Sequence, residues 1–330
     1  MFWGSKELGS VSIGVSERSP LVGGAMTTSR RWRLGGVALL AMWGLLLIGP
    51  TTTKAVAASP PMPGYWLAAA DGGVFAFNAP FYGSGALHPG APGICSFNPQ
   101  PPSMLAGGLG CSAVAATPSG NGYWILNAYK LAFPFGQSGP SPACTSLNGA
   151  MGRWTGIASS SSGAGYWATS SNGAVLGCGD APSPFGDLSS LPLNAPIVGM
   201  AATPDRKGYW LAAADGGVFS FGDAPFDGSM GGTHLNAQIV GIAATPDGKG
   251  YWLVAADGGV FSFGDTPFEG SMGGTYLNAA AVAMAATPDG NGYWLATADG
   301  GIFSFGSAPF EGSMGGRPMN AAVVGIATYP

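Results

Sequence analysis

The stretch GYWLVAADGGVFSFGDTPFEG, residues 250–270, decides how this chain folds. Gly and Pro interrupt its apolar run every few residues, and inside a helix they would cost ~1 and ~3 kcal/mol apiece, so helix is excluded. The same residues read well as strands. GYWLVAA from Gly250 is one, and Asp257-Gly258 is read as a two-residue hairpin turn that tolerates φ > 0. GVFSFGD follows, with Phe261 and Phe263 on one face by the two-residue period of a strand. Upstream, IVGIAATP at 239–246 supplies a strand of small alternating residues. Downstream, FEGS at 268–271 is read as a short fourth strand before MGGTYLNAA crosses to the next unit.

The unit recurs. Gly-Tyr-Trp begins at Gly64, Gly122, Gly165, Gly208, Gly250 and Gly292, with spacings of 58, 43, 43, 42 and 42. A period near 42 belongs to the four-stranded blades of a β-propeller. The first unit starts directly at Gly64 without a VGIAATP strand, whereas AAVVGIATYP at 321–330 is that strand with no unit behind it. Pairing the two completes a blade and hides two sheet edges that an open array would leave bare. The expected fold is therefore all-β, a six-bladed propeller over residues 64–330, closed by the strand near its end. Trp66, Trp124, Trp167, Trp210, Trp252 and Trp294 are expected to pack between blades. The turn residues Asp71, Asp215, Asp257 and Asp299 are expected to form hairpins rather than bind calcium, which takes about six to eight oxygens. Units two and three depart from the pattern, with Tyr129-Lys130-Leu131 and Asn172-Gly173-Ala174 in place of Asp-Gly-Gly.

The first 57 residues are a different text. Arg30, Arg31 and Arg33 precede an apolar run from Leu34 to Ile48 and the small-residue stretch AVAAS at 55–59. That order is a signal peptide with its cleavage site, and the run is short for a membrane span. Met26 offers an alternative start, and the Arg30-Arg31 pair admits a twin-arginine export route beside the general one. Residues 58–63 are read as a linker. A chain cut after Ala57 keeps six basic and fourteen acidic residues, a net charge of −8. Nucleic acid is therefore not an expected partner, and no membrane span is expected after cleavage. All four cysteines, Cys95, Cys111, Cys144 and Cys178, lie in the exported part, without C-x-x-C spacing. Two disulfides are expected and no metal. Cys95 and Cys111 bracket one half of an insert, which leaves Cys144 with Cys178 by elimination, although strand directions place those two toward opposite rims.

A catalytic constellation is hard to assemble. The exported part has two histidines, His88 and His234, and neither an H-E-x-x-H nor a G-x-S-x-G motif. Its arginines are Arg153, Arg206 and Arg317, with Arg206 in an inner-strand loop on the rim opposite the other two, so they do not converge on one carboxylate. Asp227, Glu269 and Glu311 occupy equivalent places in successive units, which reads as a solvated outer edge rather than a glycosidase pair. The long spacing after unit one inserts GALHPGAPGICSFNPQPPSMLAGGLG at 85–110. Long loops on a rigid ring carry function, so His88 and Phe97 of the insert, with Arg317 on the same rim, are the candidate binding residues.

TPDGKGYWLVAADGGVFSFGDTPFEGSMGG resembles the tandem repeats of secreted bacterial proteins that occur alone or appended to hydrolases. More distantly, DGGVFSFGDA is similar to the blades of quinoprotein dehydrogenases. The first resemblance implies a propeller without established catalytic residues; the second would imply a calcium and quinone site, for which no residues can be placed here. The expected function is a secreted, non-catalytic propeller without a cofactor that binds a cell-wall glycan or a protein through one rim. The rival expectation is an extracellular enzyme acting on a glycan or cofactor in the central channel.

Overall fold

The computed structural model describes residues 62–86, 95, 110–128, 132–139, 144 and 152–329. The leader, His88, Phe97 and the unit-two turn at 129–131 lie outside them. Among the described residues eighteen strands form six antiparallel sheets of three strands each. In every sheet the repeat supplies an inner strand of small residues, a middle GYW strand and an outer strand. The middle strands, such as Gly250–Ala255, are buried along their whole length. Each inner strand neighbours the inner strands of the blades before and after it, and the circuit returns to its start. This is a six-bladed propeller around a central channel.

Closure occurs where the repeat count places it. The inner strand Val323–Tyr329 pairs antiparallel with the middle strand Gly64–Ala69, Gly64 opposite Tyr329 and Leu67 opposite Ile326. A bulge near the far end of that ladder recurs in the other five blades.

The blades pack through one repeated contact. The Trp of each blade lies against the Tyr of the next: Trp210 to Tyr251, Trp252 to Tyr293 and, across the closure, Trp294 to Tyr65, with ring centroids 5.3–5.5 Å apart. All six tryptophans are fully buried, so their expected role between blades holds. Leu253, Phe261 and Phe263 of a blade join its Tyr251 against Trp210 of the blade before.

Two local expectations are corrected. The segment at 268–271 is not a fourth strand. Pro267 brings no N–H to a ladder, and Gly270 takes φ +123°. Side chains hold this outer segment instead. Trp252 Nε1 donates to Pro267 O at 2.8 Å. Tyr293 of the following blade donates its hydroxyl to Gly270 O at 2.6 Å and receives Glu269 N at 3.2 Å. Tyr65 does the same across the closure, with Gly312 O at 2.6 Å and Glu311 N at 3.3 Å. Burial pushes the phenols of Tyr65, Tyr123 and Tyr251 up to about 12, against the lowering influence of the amides that donate to them.

The hairpin turn has three residues rather than two. Gly258 N donates to Ala255 O at 2.9 Å and Ala255 N to Gly259 O at 2.8 Å, enclosing Ala256-Asp257-Gly258. Gly258 sits at φ +80°, the left-handed residue that closes a three-residue hairpin loop. Asp257 Oδ1 accepts Gly259 N at 3.0 Å, so the aspartate is a turn former. Asn172-Gly173 builds the same loop in blade three, with Gly173 at φ +81°.

Both expected disulfides are present, with Cα–Cα distances of 5.3 Å for Cys95–Cys111 and 4.0 Å for Cys144–Cys178. The opposite-rim placement of the second pair is corrected. Cys144 lies directly across from Cys178 as an antiparallel bridge at the outer edge of blade three.

Candidate binding rim and central channel

The outer segments return to the rim that carries the Asp-Gly-Gly hairpins and cross there to the next inner strand. Among the described residues, four crossings start with the same clamp. Met230, Met272 and Met314 donate their amides to Gly216, Gly258 and Gly300 O at 2.9 Å, as Leu188 does to Gly173 O. A turn follows in which Leu191, Thr233, Thr275 and Arg317 donate back to Leu188, Met230, Met272 and Met314 O at 2.8–2.9 Å. This frame presents outward the pairs Leu191-Pro192, Thr233-His234, Thr275-Tyr276 and Arg317-Pro318, all exposed. Tyr276 is 86 % exposed and Leu191 56 %. One scaffold thus displays four chemically different tips. A groove of about 280 Å³ opens beside them between residues 191–195 and Asp215, Phe219 and Gly231.

Arg317 is one of these tips. The insert is rooted on the same rim, because Gly85 N donates to Gly72 O in the hairpin and Cys111 N to Ala70 O, both at 2.8 Å. Sequence reasoning missed Tyr276 and Leu191. The signal that would have found them is the column after Met-Gly-Gly, which changes from unit to unit while its surroundings repeat.

The channel is walled by the inner strands. At the hairpin rim its mouth is lined by Ser112, Arg153, Thr155 and valines that include Val198 and Val240. Its middle is lined by residues such as Gly156, Gly199, Gly241 and Gly325. At the other rim a cavity of about 450 Å³ is lined by inner-strand ends and by Pro118, Pro204, Pro246, Pro288 and Arg206. Arg153 and Arg206 therefore stand at opposite mouths. Among the described residues lining these spaces there is no carboxylate and no histidine. No group of three or more His, Cys, Asp or Glu residues among them is placed to hold a metal.

Asp227, Glu269 and Glu311 sit at three separate blade junctions, each in the outer segment that receives the next blade's tyrosine. The solvated-edge expectation holds for exposed Glu269. It is corrected in part for Asp227 and Glu311, each of which has one carboxylate oxygen enclosed without a hydrogen-bond partner. Asp227 lies against Gly264 of the next blade, as Glu269 lies against Gly306.

No family model and no curated protein matches the sequence, so the repeat resemblance stands on the quoted motifs. The fold is shared with solved structures. A chain from the crystal structure of a nidogen/laminin complex superposes with a TM-score of 0.55 at 11 % identity, covering 81 % of this chain and 98 % of that one. At that identity the likeness concerns the fold alone, and it is the likeness of one propeller to another.

Proposed function

We propose that this chain is an exported, non-catalytic β-propeller that binds another protein through its crossing-loop rim. The observation that carries the reading is the repeated clamp holding four different exposed pairs, 191–192, 233–234, 275–276 and 317–318, on one face. A ring built only for stability has no use for varied tips on an invariant frame, whereas a docking face needs rigid backbone and varied chemistry. Tyr276 and Arg317, on separate tips of this face, are of the residue types that protein interfaces favour. The insert in whose sequence His88 and Phe97 stand has its described ends, Gly85 and Cys111, on this rim. The solved chain with this fold comes from a nidogen/laminin complex, which supports a protein partner over a glycan. Export is supported by the leader motif in residues 1–57 and by two disulfides, which persist in oxidising compartments. Among the described residues no helix is long and apolar enough to cross a membrane.

The test is site-specific photocrosslinking. A photoreactive residue at Tyr276, incubated with the surface and medium fractions of producing cells, should give a discrete, protease-sensitive adduct. The adduct should weaken when Arg317→Ala and His234→Ala are introduced. A glycosidase-sensitive adduct, no adduct, or equal labelling from the outer edge at Phe268 overturns the reading.

A further inference from the structure

The loops joining inner to middle strands, on the rim away from the hairpins, share one turn. Its fourth residue donates an amide to Thr117, Ser160, Thr203, Thr245 or Thr287 O at 2.9–3.1 Å. In four of the five that residue is glycine, with φ between +68° and +81°: Gly120, Gly163, Gly248 and Gly290. In blade four it is Arg206, at φ +60°. A long charged side chain thus occupies a left-handed position that the rest of the ring reserves for glycine. A local rule broken at one copy of a repeat is a place to look for function.

A second departure lies opposite the first. A Cβ on Gly248 would meet Pro204 Cδ at 2.9 Å, and one on Gly290 would meet Pro246 Cδ at 3.1 Å, so each loop faces the proline of the preceding blade. Arg206 by the same geometry faces blade three, the one preceding blade that has Ser161 where Pro118, Pro204 and Pro246 stand. Among the described junctions, the proline that would crowd an Arg206 Cβ is missing only at this one. The two departures fit each other.

The side chain has a cavity to serve. Arg206 is the one charged residue among the described residues lining the 450 Å³ mouth, and the rest of the wall is mainly proline, alanine and threonine with Val114, Ile157, Ile326, Met200 and Ser159. No carboxylate among the described residues lies within ion-pair distance of it. The nearest in sequence, Asp205, is held by Lys207 Nζ at 3.1 Å and Thr203 Oγ1 at 2.9 Å. Asp289 is likewise held by Thr287 and Ser307, and Asp180 by Ser160 and Ser162. The ring leaves this guanidinium uncompensated while burial draws its pKa down. On the same wall Ser159 stands where blades two, four, five and six have alanine, and its buried Oγ has no hydrogen-bond partner.

We propose that Arg206 makes this mouth a binding site for a carboxylate carried on a small apolar body. A guanidinium grips a carboxylate with two parallel hydrogen bonds. The proline-and-alanine wall accepts the apolar remainder, in a space within the usual range for small ligands. The site is on the face opposite the crossing loops and is independent of the protein-binding reading.

Calorimetric titration with phenylacetate, its neutral isostere phenylacetamide, acetate and sulfate tests it. Phenylacetate should bind saturably, and more tightly than acetate. Phenylacetamide, and phenylacetate on the Arg206→Gly variant, should each bind about tenfold more weakly or worse, because a charged hydrogen-bonded pair is lost. Arg206→Lys should fall between. The glycine variant restores the residue of the other blades and should melt no lower than the parent, which separates lost binding from lost folding. N-acetylphenylalanine distinguishes the source: tighter binding than phenylacetate assigns the site to a polypeptide chain end, weaker binding to a free acid. Unchanged binding by Arg206→Gly, sulfate binding equal to phenylacetate, or no saturable binding by any probe overturns the proposal.

Discussion

Replacing Tyr65 by Phe removes one hydroxyl and tests how the ring is locked. That hydroxyl is fully buried, donates to Gly312 O at 2.6 Å and accepts Glu311 N at 3.3 Å. Phe keeps the ring against Trp294 and leaves two backbone groups without their partner. One short and one long bond lost from a buried site cost about 2 kcal/mol. Tyr251→Phe and Tyr293→Phe remove the same pair of bonds at interior junctions, from Asp227 and Gly228 and from Glu269 and Gly270. In urea denaturation followed by tryptophan fluorescence, all three variants should lose about the same stability. Kinetics should separate them. The interior partners are 23–24 residues apart, whereas those of Tyr65 are 246–247 apart. Contacts that join such distant residues form late. Stopped-flow should therefore find Tyr65→Phe folding at the parent's rate and unfolding about 30-fold faster, its whole loss on the unfolding limb. The interior variants should also fold more slowly. Wild-type stability in Tyr65→Phe, beside a clear loss in the other two, would refute closure through this clasp.

Deleting residues 321–330 strips the first blade of its inner strand, and the truncated chain should aggregate or lose cooperative melting. Supplying that segment as a synthetic peptide should restore part of the signal, and a soluble, cooperatively melting truncation would contradict the topology. Raised phenol pKa values make stability depend on alkaline pH: it is complete below the ordinary tyrosine value of 10.0 and drains away as pH rises toward about 12. Absorbance at the phenolate band should show the buried tyrosines ionising together with unfolding, and independent titration near their ordinary value would count against the buried junctions. Replacing Cys144 and Cys178 by Ser opens a link across 34 residues and should lower stability by about 4 kcal/mol on the chain-entropy account. Non-reducing peptide mapping should find Cys95–Cys111 and Cys144–Cys178, and a Cys95–Cys144 crosslink would show a misassigned insert.

Blade number, closure and the tryptophan contacts were legible because each is a counting property of the repeat. The spacing of Gly-Tyr-Trp sets the blades, and the unmatched strand at 321–330 sets the partner of Gly64. The outer segment was not legible, because Phe268 to Ser271 has strand-like composition, and its fate turns on where Trp252 and Tyr293 send their polar atoms. The turn at Asp257-Gly258 misled by one residue, since hairpins with two and three loop residues share that dipeptide. The rim tips were visible only as varying columns, with no indication that the clamp beneath them was rigid. Arg206 was seen as an arginine but not as a residue in a glycine's place, because the left-handed turn that gives the substitution its meaning is a property of the backbone.

The dependence of the first blade on residues 323–329 also orders events in time. A nascent chain that has released residues 64–322 holds five blades with their inner strands and one without, and no rearrangement of those residues can supply the missing partner. Completion must therefore await synthesis of that strand, which then still has to find a partner about 260 residues away in sequence. Until the last inner strand appears, the chain is an open arc that can still be drawn lengthwise through a narrow pore; once Val323 to Tyr329 pairs with Gly64 to Ala69, withdrawing any blade means breaking a circle.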